Sequence, residues 1–173
     1  RAAAEMVIEL ISPLPWPMSV TDKLPHFVGP LDLVIVEGER ADADWASLAL
    51  ISAARRGATT ALIGPGRGPL NEDAPADTIS FPTPPTADGA SPSRYITGLL
   101  ALLWSITDDG VMVADRLHEL ADAADAELEQ LSPERDATVN PGRALRDFTA
   151  DARMIHTGSR VDQPAGLPAG INV

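Results

Sequence analysis

The strongest constraint on the fold is an alternation of strand-like and helix-like segments in the first part of the chain. Leu31–Val36 is a nearly continuous run of branched apolar residues, and Thr59–Ile63 is a second strand-like run. Such runs are typical of strands that are buried on both faces of a parallel sheet. Between them, Asp42–Arg56 has acidic residues at its start, arginines at its end and Gly57 after it, which predicts a helix with well-marked ends. A strand, a helix and a strand in this order predict an α/β protein with a parallel sheet.

Further along the chain, periodicity predicts more helices and three weaker strands. Arg94–Thr107 is apolar on nearly every side of a helix, so we expect it to be buried on several sides and to be the candidate for a domain or subunit interface. Trp16–Val20 can form at most an edge strand, because proline lacks the N–H group that a central strand donates. The remaining predictions are helices over Ala2–Ile11, Val111–Leu131 and Asn140–Phe148, strands over Thr78–Phe81 and Arg153–Thr157, and a turn-rich loop over Gly64–Pro69.

The composition argues against several classes of function. The chain has 173 residues, a length typical of about one domain, and its 25 Asp and Glu against 13 Lys and Arg give a formal charge of -12. Because nucleic acids are bound by clustered Lys and Arg, we expect no nucleic-acid partner. Without cysteine we expect no disulfide, no thiolate metal site and a cytoplasmic location. The longest apolar run, Tyr95–Ile106, is shorter than the roughly 18–20 residues of a membrane span, so we expect no membrane partner.

The predicted helix over Val111–Leu131 combines an apolar stripe with an acidic face. Between Asp108 and Asp136 the chain carries ten acidic and two basic residues, a net charge of -8. A run of like charges on a helix is usually a solvated face, and we interpret it so in preference to an acidic binding surface. The apolar stripe, with spacings of three and four residues, consists of Val113, Leu117, Leu120, Ala124, Leu128 and Leu131.

Four segments resemble, in their order along the chain, segments of a known family. Leu24-Pro-His-Phe-Val-Gly-Pro-Leu-Asp-Leu-Val-Ile-Val36 is similar to the family's lead into its sheet, and Ala54-Arg-Arg-Gly-Ala58 to its next helix–strand junction. Pro92-Ser-Arg-Tyr-Ile-Thr-Gly-Leu-Leu100 resembles a Pro-x-Arg helix start, and Asn140-Pro-Gly-Arg-Ala-Leu145 resembles an Asn-x-Ala-Lys-x-Leu-Ala motif. On these segments, which span roughly residues 24–157, the chain resembles the sugar isomerase (SIS) domain proteins. The resemblance is to the tandem-SIS phosphoglucose/phosphomannose isomerases and their TobH-like branch.

The resemblance implies a fold and a set of domain limits. SIS domains have a doubly wound parallel sheet in a flavodoxin-like, three-layer αβα arrangement, and Arg1 would fall in the first helix of the first domain, with the first strand missing. The implied domains are a partial first SIS domain over residues 1–107, an acidic linking helix over 108–139, and the start of a second SIS domain with a Pro/Gly-rich tail over 140–173. Family members often dimerise, so a homodimer is expected.

The resemblance also implies that the chain binds a sugar phosphate, like the aldose–ketose isomerases of glucose 6-phosphate and mannose 6-phosphate. Arg94 matches the family arginine that stabilises the enediolate; the alternative is a surface arginine in a proline-rich turn. Ser93 and Arg67 are the candidate substrate-binding residues, with a helix cap and a turn arginine as their alternative interpretations. We expect no cofactor, and we expect no metal because the spacing of the histidines matches no metal motif.

One loop departs from the family pattern and supports an alternative function. The family binds phosphate on a Ser/Thr-rich loop at a helix N-terminus, whereas the corresponding loop here, Glu37–Asp44, has no Ser or Thr and four carboxylates. Carboxylates repel a phosphate dianion. The family's general base, a Glu, and its ring-opening His match no position in the chain. The alternative is therefore a catalytically degenerate SIS module that binds a sugar derivative or only dimerises, and whether the chain is an enzyme stays open.

Overall fold

The structure, a computed structural model, describes residues 1–38, 40, 42–82 and 92–150. These residues cluster into two compact units, residues 1–100 and residues 101–150, so the division falls inside one helix. The domain limits that the resemblance predicts at residues 107 and 139 stay predictions. The elements are α1 (Ala2–Leu10), β1 (Leu33–Glu37), α2 (Asp44–Arg55), β2 (Thr59–Gly64), α3 (Pro69–Glu72), β3 (Ile79–Pro82), α4 (Pro92–Thr107), α5 (Gly110–Gln130) and α6 (Pro141–Thr149).

The first unit contains a three-stranded parallel sheet in the order β1-β2-β3. Val36 of β1 pairs with Leu62 of β2, and Leu62 pairs with Ser80 of β3. The strand β2 lies in the centre because its side chains suit burial on both faces, and its residues from Thr60 onward are all buried. The hydroxyl of Thr60 is satisfied by the hydroxyl of Thr78 at 2.8 Å. The prediction of an α/β protein with a parallel sheet is confirmed.

Helices cover both faces of this sheet. Successive residues of a strand point to opposite faces, so Leu62 and Ile63 mark the two sides of β2. Leu62 packs with Leu50 of α2 and Leu70 of α3 in one core cluster. On the other side Ile63 lies against Gly98 of α4, where a Cβ atom would sit only 3.2 Å from the Ile63 side chain. The glycine lets α4 approach the sheet closely, and the layers are helix, sheet and helix.

The helix between the two strongest strands begins and ends much as its sequence predicts. Asp44 lies in the first turn of α2 and Arg55 in the last, and both charges complement the helix dipole. Gly57 has a φ of +84°, and its N–H donates to the carbonyl of Ala54 at 2.9 Å. A left-handed residue at this position ends the helix, and glycine adopts that conformation without steric cost.

Two details of the first unit differ from the prediction. The described residues of Trp16–Val20 form no strand, because Pro15 and Pro17 supply no N–H groups for pairing. The short helix α3 was not predicted; it begins at Pro69, where the missing N–H would have had no helical partner in any case. The predicted strand over Arg153–Thr157 lies outside the described residues.

Helix α4 is buried along much of its length, as its apolar sequence predicts. Its buried leucines are Leu99, Leu100, Leu102 and Leu103, and Ile106 near its end is 46% exposed. That α4 forms a domain or subunit interface stays a prediction. Neither α4 nor any other helix in the described part of the chain is long and apolar enough to cross a membrane.

The second unit is helical and is held together near the start of α5. The carboxylate of Asp109 accepts two backbone N–H groups of the first turn of α5, each at 3.0 Å. Arg116 of α5 pairs with Asp108 at 2.7 Å and lies over the ring of Trp104, 5.4 Å from its centroid. These contacts tie α5 to the last turn of α4 through a charge pair and a cation–π interaction.

Asn140 caps the start of α6, which corresponds to the helix predicted over Asn140–Phe148. This side chain is 1% exposed, and its oxygen accepts the N–H of Arg143 at 3.0 Å. Its Nδ2 donates to the carbonyl of Ser132 at 2.7 Å. A single buried amide therefore caps α6 and binds the preceding loop to it.

The apolar stripe of α5 is largely uncovered. Val113 is buried and Leu117 is half-buried, but every residue from 118 to 131 is exposed. Leu128, for example, is 67% exposed. The acidic face of α5 is solvated as predicted, and the apolar stripe is buried or half-buried only as far as Leu117.

Candidate functional site

The carboxyl ends of β1 and β2 come together at two buried glycines. Gly38 directly follows β1, and its N–H donates to the carbonyl of Ile63 at 3.0 Å. Gly64 ends β2, and a Cβ atom there would lie 2.8 Å from the carbonyl oxygen of Gly38. A Cβ atom at Gly38 would in turn lie 2.5 Å from the side chain of Leu70. The two segments are therefore closely apposed at the edge where open α/β sheets bind ligands.

The first turn of α4 lies at the same edge. Tyr95 is buried, and its hydroxyl donates to the carbonyl oxygen of Gly38 over 3.4 Å. This distance is long for an O–H···O hydrogen bond, so the contact reports proximity more than strength. Because Tyr95 directly follows Arg94, the contact brings the N-terminal turn of α4 to the end of β1. A helix N-terminus has partial positive charge and exposes N–H groups that suit an anion.

The three residues predicted for the site all lie on segments at this edge. Arg94 is half-buried and Ser93 is exposed, and both belong to the first turn of α4. Arg67 is exposed in the loop that follows β2. The fold thus brings the two arginines to one edge of the sheet on two different segments. That they contact one ligand together stays a prediction.

The loop after β1 carries more negative than positive charge. Glu37, the last residue of β1 before this loop, is half-buried and, through its pairing with Ile63, lies on the sheet face that α4 covers. The Nε and Nη2 atoms of Arg40 donate to the two carboxylate oxygens of Asp42, each at 2.9 Å. These hydrogen bonds and the positive charge of Arg40 hold the pKa of Asp42 below its ordinary value. Arg40 is thereby engaged by a carboxylate of its own loop.

Other chemistry in the described part of the chain does not gather at this edge. His26 and His118 are exposed and belong to different units, and His156 lies outside the described residues. Within the described ranges, no three His, Asp or Glu side chains come together as a metal site would need. A shallow cavity of about 260 Å³ beside α1 contains none of the three predicted residues. It is lined by Arg1, Glu5, Ile8, Glu9 and Val20.

Sequence reasoning missed Tyr95 and Gly38. The pattern of α4 places Tyr95 among the apolar residues of a buried helix, and periodicity does not distinguish a tyrosine whose hydroxyl reaches a neighbouring loop. Gly38 stands within the acidic loop and has no distinctive neighbours. Its position directly after a buried strand is the one available signal, because glycine there permits a close approach of the backbone.

Fold and site together define an α/β protein with a parallel sheet and a candidate ligand site at the carboxyl ends of β1 and β2. No family model, curated protein or solved structure matches the chain. The resemblance to the SIS family therefore stays a prediction from the four sequence segments.

Proposed function

We propose that the protein binds a sugar phosphate at the carboxyl edge of its sheet, as an SIS-type module with a doubly wound, flavodoxin-like fold. It would resemble the aldose–ketose isomerases of glucose 6-phosphate and mannose 6-phosphate. Self-association as a homodimer is part of this proposal. The described parallel sheet, with helices on both faces, supports it at the level of architecture.

The contact between Tyr95 and Gly38 carries the proposal. It shows that the first turn of α4, which includes Ser93 and Arg94, lies close to the end of β1. A phosphate there would meet the positive end of the helix dipole and the N–H groups of the first turn. Arg94 and Arg67 would supply the positive charge that a dianion requires.

Arg94 is the residue we propose to act on the sugar itself. In aldose–ketose isomerisation a proton moves between two neighbouring carbons through an enediolate, whose oxygen carries negative charge. A guanidinium group close to that oxygen stabilises it and lowers the barrier. Ser93 and Arg67 are proposed to contact the phosphate, and the general base is assigned to no described residue.

A module that binds a sugar derivative without turnover is the second candidate, and one observation favours it. The positive charge of Arg40 is neutralised by Asp42 in the loop after β1, so this pair offers a phosphate no net positive charge. Carboxylates disfavour phosphate at that loop. They accept hydrogen bonds from sugar hydroxyls, so the uncharged part of a sugar derivative suits this loop better.

Thermal unfolding of the protein with fructose 6-phosphate or mannose 6-phosphate tests the binding. We expect the melting temperature to rise with either ligand, because a ligand at about 100 times its Kd stabilises the folded state by about 2.7 kcal/mol. Arg94→Ala should lose the shift. Arg55→Ala is the matched control, since Arg55 is exposed in the last turn of α2 and so lies away from the carboxyl edge. Absence of a shift in the unchanged protein at millimolar ligand would overturn both candidates in their phosphosugar form.

A coupled isomerase assay separates the two candidates once binding is seen. Turnover that falls about 10²–10³-fold in Arg94→Ala would support the isomerase with Arg94 as the group that stabilises the enediolate. Binding without turnover would support the degenerate module. Turnover unchanged in Arg94→Ala would contradict the role of Arg94.

A further inference from the structure

The exposed part of α5 has an apolar face that the described residues cover only in part. We call Leu117, Leu120, Ala124, Leu128 and Leu131 the α5 stripe. Their spacings of three and four residues align them along one side of the helix. Of the leucines, Leu120 is 40% exposed, Leu128 is 67% exposed and Leu131 is 41% exposed. A contiguous apolar strip that is open to water is typical of a surface that binds another protein.

Carboxylates border the α5 stripe on both sides. Asp125 is three residues before Leu128, and Glu127 is three residues after Ala124, so each carboxylate adjoins the stripe on the helix surface. The stretch from 117 to 134 contains no Lys or Arg. Among the described residues, the five acidic side chains of this stretch of α5 enter no ion pair; they are Glu119, Asp122, Asp125, Glu127 and Glu129.

The helix dipole adds to this excess of negative charge. The C-terminal end of a helix has partial negative charge, which basic residues normally offset. The last turn of α5 has no basic residue and contains Glu127 and Glu129. Arg116, the nearest cation on the helix, is engaged by Asp108 and Trp104. The surface therefore combines an apolar stripe with uncompensated negative charge at the same end.

We propose that the α5 stripe is a docking surface for a basic amphipathic helix of another protein. Leucine-like side chains of that helix would cover the stripe, and its Lys or Arg residues would lie beside Asp125 and Glu127. A basic helix also compensates the C-terminal end of the dipole of α5. The proposal concerns the second unit and is independent of sugar-phosphate binding.

A second copy of α5 fits this surface less well. Pairing two copies would satisfy the apolar stripe, but it would place two acidic helices side by side with no cation in residues 117–134 of either. Like charges across an interface oppose association and select against that partner. Charge complementarity thus favours a basic partner over self-association.

Binding of a synthetic peptide tests the proposal on the full chain. The probe has leucine at the a and d positions of heptads and lysine at the flanking positions, with a fluorescent label for anisotropy. We expect it to bind, and to bind more weakly as salt is raised from about 0.1 M, where charges are screened over about 10 Å. A peptide with glutamate at every lysine position should not bind. A lysine peptide of the same composition but scrambled leucine spacing should bind at least about tenfold more weakly.

Two variants of the protein identify the surface. Leu120→Gln with Leu128→Gln should weaken peptide binding by about tenfold or more, and glutamine preserves helix propensity so that α5 can still form. Asp125→Lys with Glu127→Lys should weaken it and reduce its salt dependence. Leu48→Gln is the matched control, because Leu48 is 63% exposed on α2 in the other unit.

Several results would overturn the proposal. The proposal fails if the lysine peptide does not bind. It also fails if the glutamate or scrambled peptide binds as tightly as the lysine peptide, or if the paired leucine substitution leaves binding unchanged. Sedimentation of the protein alone gives a further one: a dimer that dissociates on Leu120→Gln with Leu128→Gln would mean that a second copy covers the stripe. The helical content of each variant, measured by circular dichroism, distinguishes loss of the surface from loss of the helix.

Discussion

Two leucines that the sequence pattern treats alike have opposite surroundings in the two units. Leu62 of β2 in the first unit is 1% exposed, whereas Leu128 of α5 in the second unit is 67% exposed. Both belong to apolar patterns that predict burial, one with the composition of a buried strand and one with helical spacing. The difference lies in what surrounds them, since β2 has a strand on each side and helices on both faces, while every residue of α5 from 118 to 130 is exposed. Periodicity predicts which side of an element is apolar, and it does not predict that a neighbour covers it.

The largest expected difference in stability is that between the alanine variants of these two leucines. Leu62→Ala should lower the free energy of unfolding by about 2–5 kcal/mol, because it removes buried methyl groups and leaves a cavity. Leu128→Ala should change it by less than about 0.5 kcal/mol, because the side chain is already in water. Urea unfolding followed by circular dichroism measures both. A loss above 2 kcal/mol for Leu128→Ala would mean that α5 is covered in solution and would contradict the contrast.

A second pair of substitutions compares glycines of the two units. Gly64→Ala should destabilise the protein by about 1–3 kcal/mol, because the new Cβ would lie 2.8 Å from the backbone carbonyl of Gly38 and the strand ends would have to separate. Gly110→Ala should stabilise it by up to about 1 kcal/mol, since nothing lies within 4 Å of a Cβ there and alanine favours the helix. Thermal unfolding of both variants measures the difference. A Gly64→Ala variant as stable as the unchanged protein would show that the edge at Gly38 tolerates a side chain.

The sequence predicts best the helices and strands that combine a periodic apolar pattern with residues that mark their ends. The helix found as α2 is predicted to within two residues, because acidic and basic ends and Gly57 mark its limits. The strand predicted over Thr78–Phe81 is β3, shifted by one residue, although prolines surround it. The edge strand predicted over Trp16–Val20 is wrong, because alternating apolar residues cannot replace the N–H groups that proline lacks.

The candidate site was predictable in its segments and not in its contacts. A parallel sheet places the loops after its strands at one edge, and this alone brings Arg67 near the end of β1. The approach of Tyr95 to Gly38 depends on how α4 packs across the sheet, with Gly98 against Ile63. No local pattern encodes that contact, because it joins residues 57 positions apart in the sequence. The ion pair of Arg40 with Asp42 is local, because the two residues are only two positions apart in the sequence.

A third prediction concerns the buried cap in the second unit. Asn140→Ala should lower the free energy of unfolding by about 1–2 kcal/mol, because α6 loses its cap and the carbonyl of Ser132 loses its donor. Asn140→Ser keeps a capping oxygen and should cost less. Urea unfolding compares the two. If the serine variant loses as much stability as the alanine variant, the hydrogen bond from the Asn140 side-chain amide to Ser132 contributes more than the cap.

The smallest expected effect is a change in pKa at two exposed aspartates, one in each unit. Their pKa values are lowered for different reasons. Arg40 lowers the pKa of Asp42 through hydrogen bonds to its guanidinium and through its charge. Thr138 is the main cause of the lowered pKa of Asp136, because its hydroxyl and its N–H donate to Oδ1 at 2.6 Å and 2.8 Å. High salt should therefore raise the pKa of Asp42 more than that of Asp136, because salt screens charge more than it weakens a hydrogen bond from a neutral donor. Carboxyl titration by NMR at low and at high salt measures both pKa values.

Removal of the hydroxyl gives this comparison a consequence for stability. Thr138→Val should raise the pKa of Asp136 toward its ordinary value and leave that of Asp42 unchanged. A carboxyl group with a lowered pKa in the folded state stabilises the fold above its unfolded pKa, and this contribution is lost as the pH falls through the folded pKa. The unchanged protein should thus exceed Thr138→Val in stability at neutral pH, and part of the difference should disappear once Asp136 is protonated. A difference that stays constant from neutral to acidic pH would mean that the valine acts through packing and not through the carboxylate.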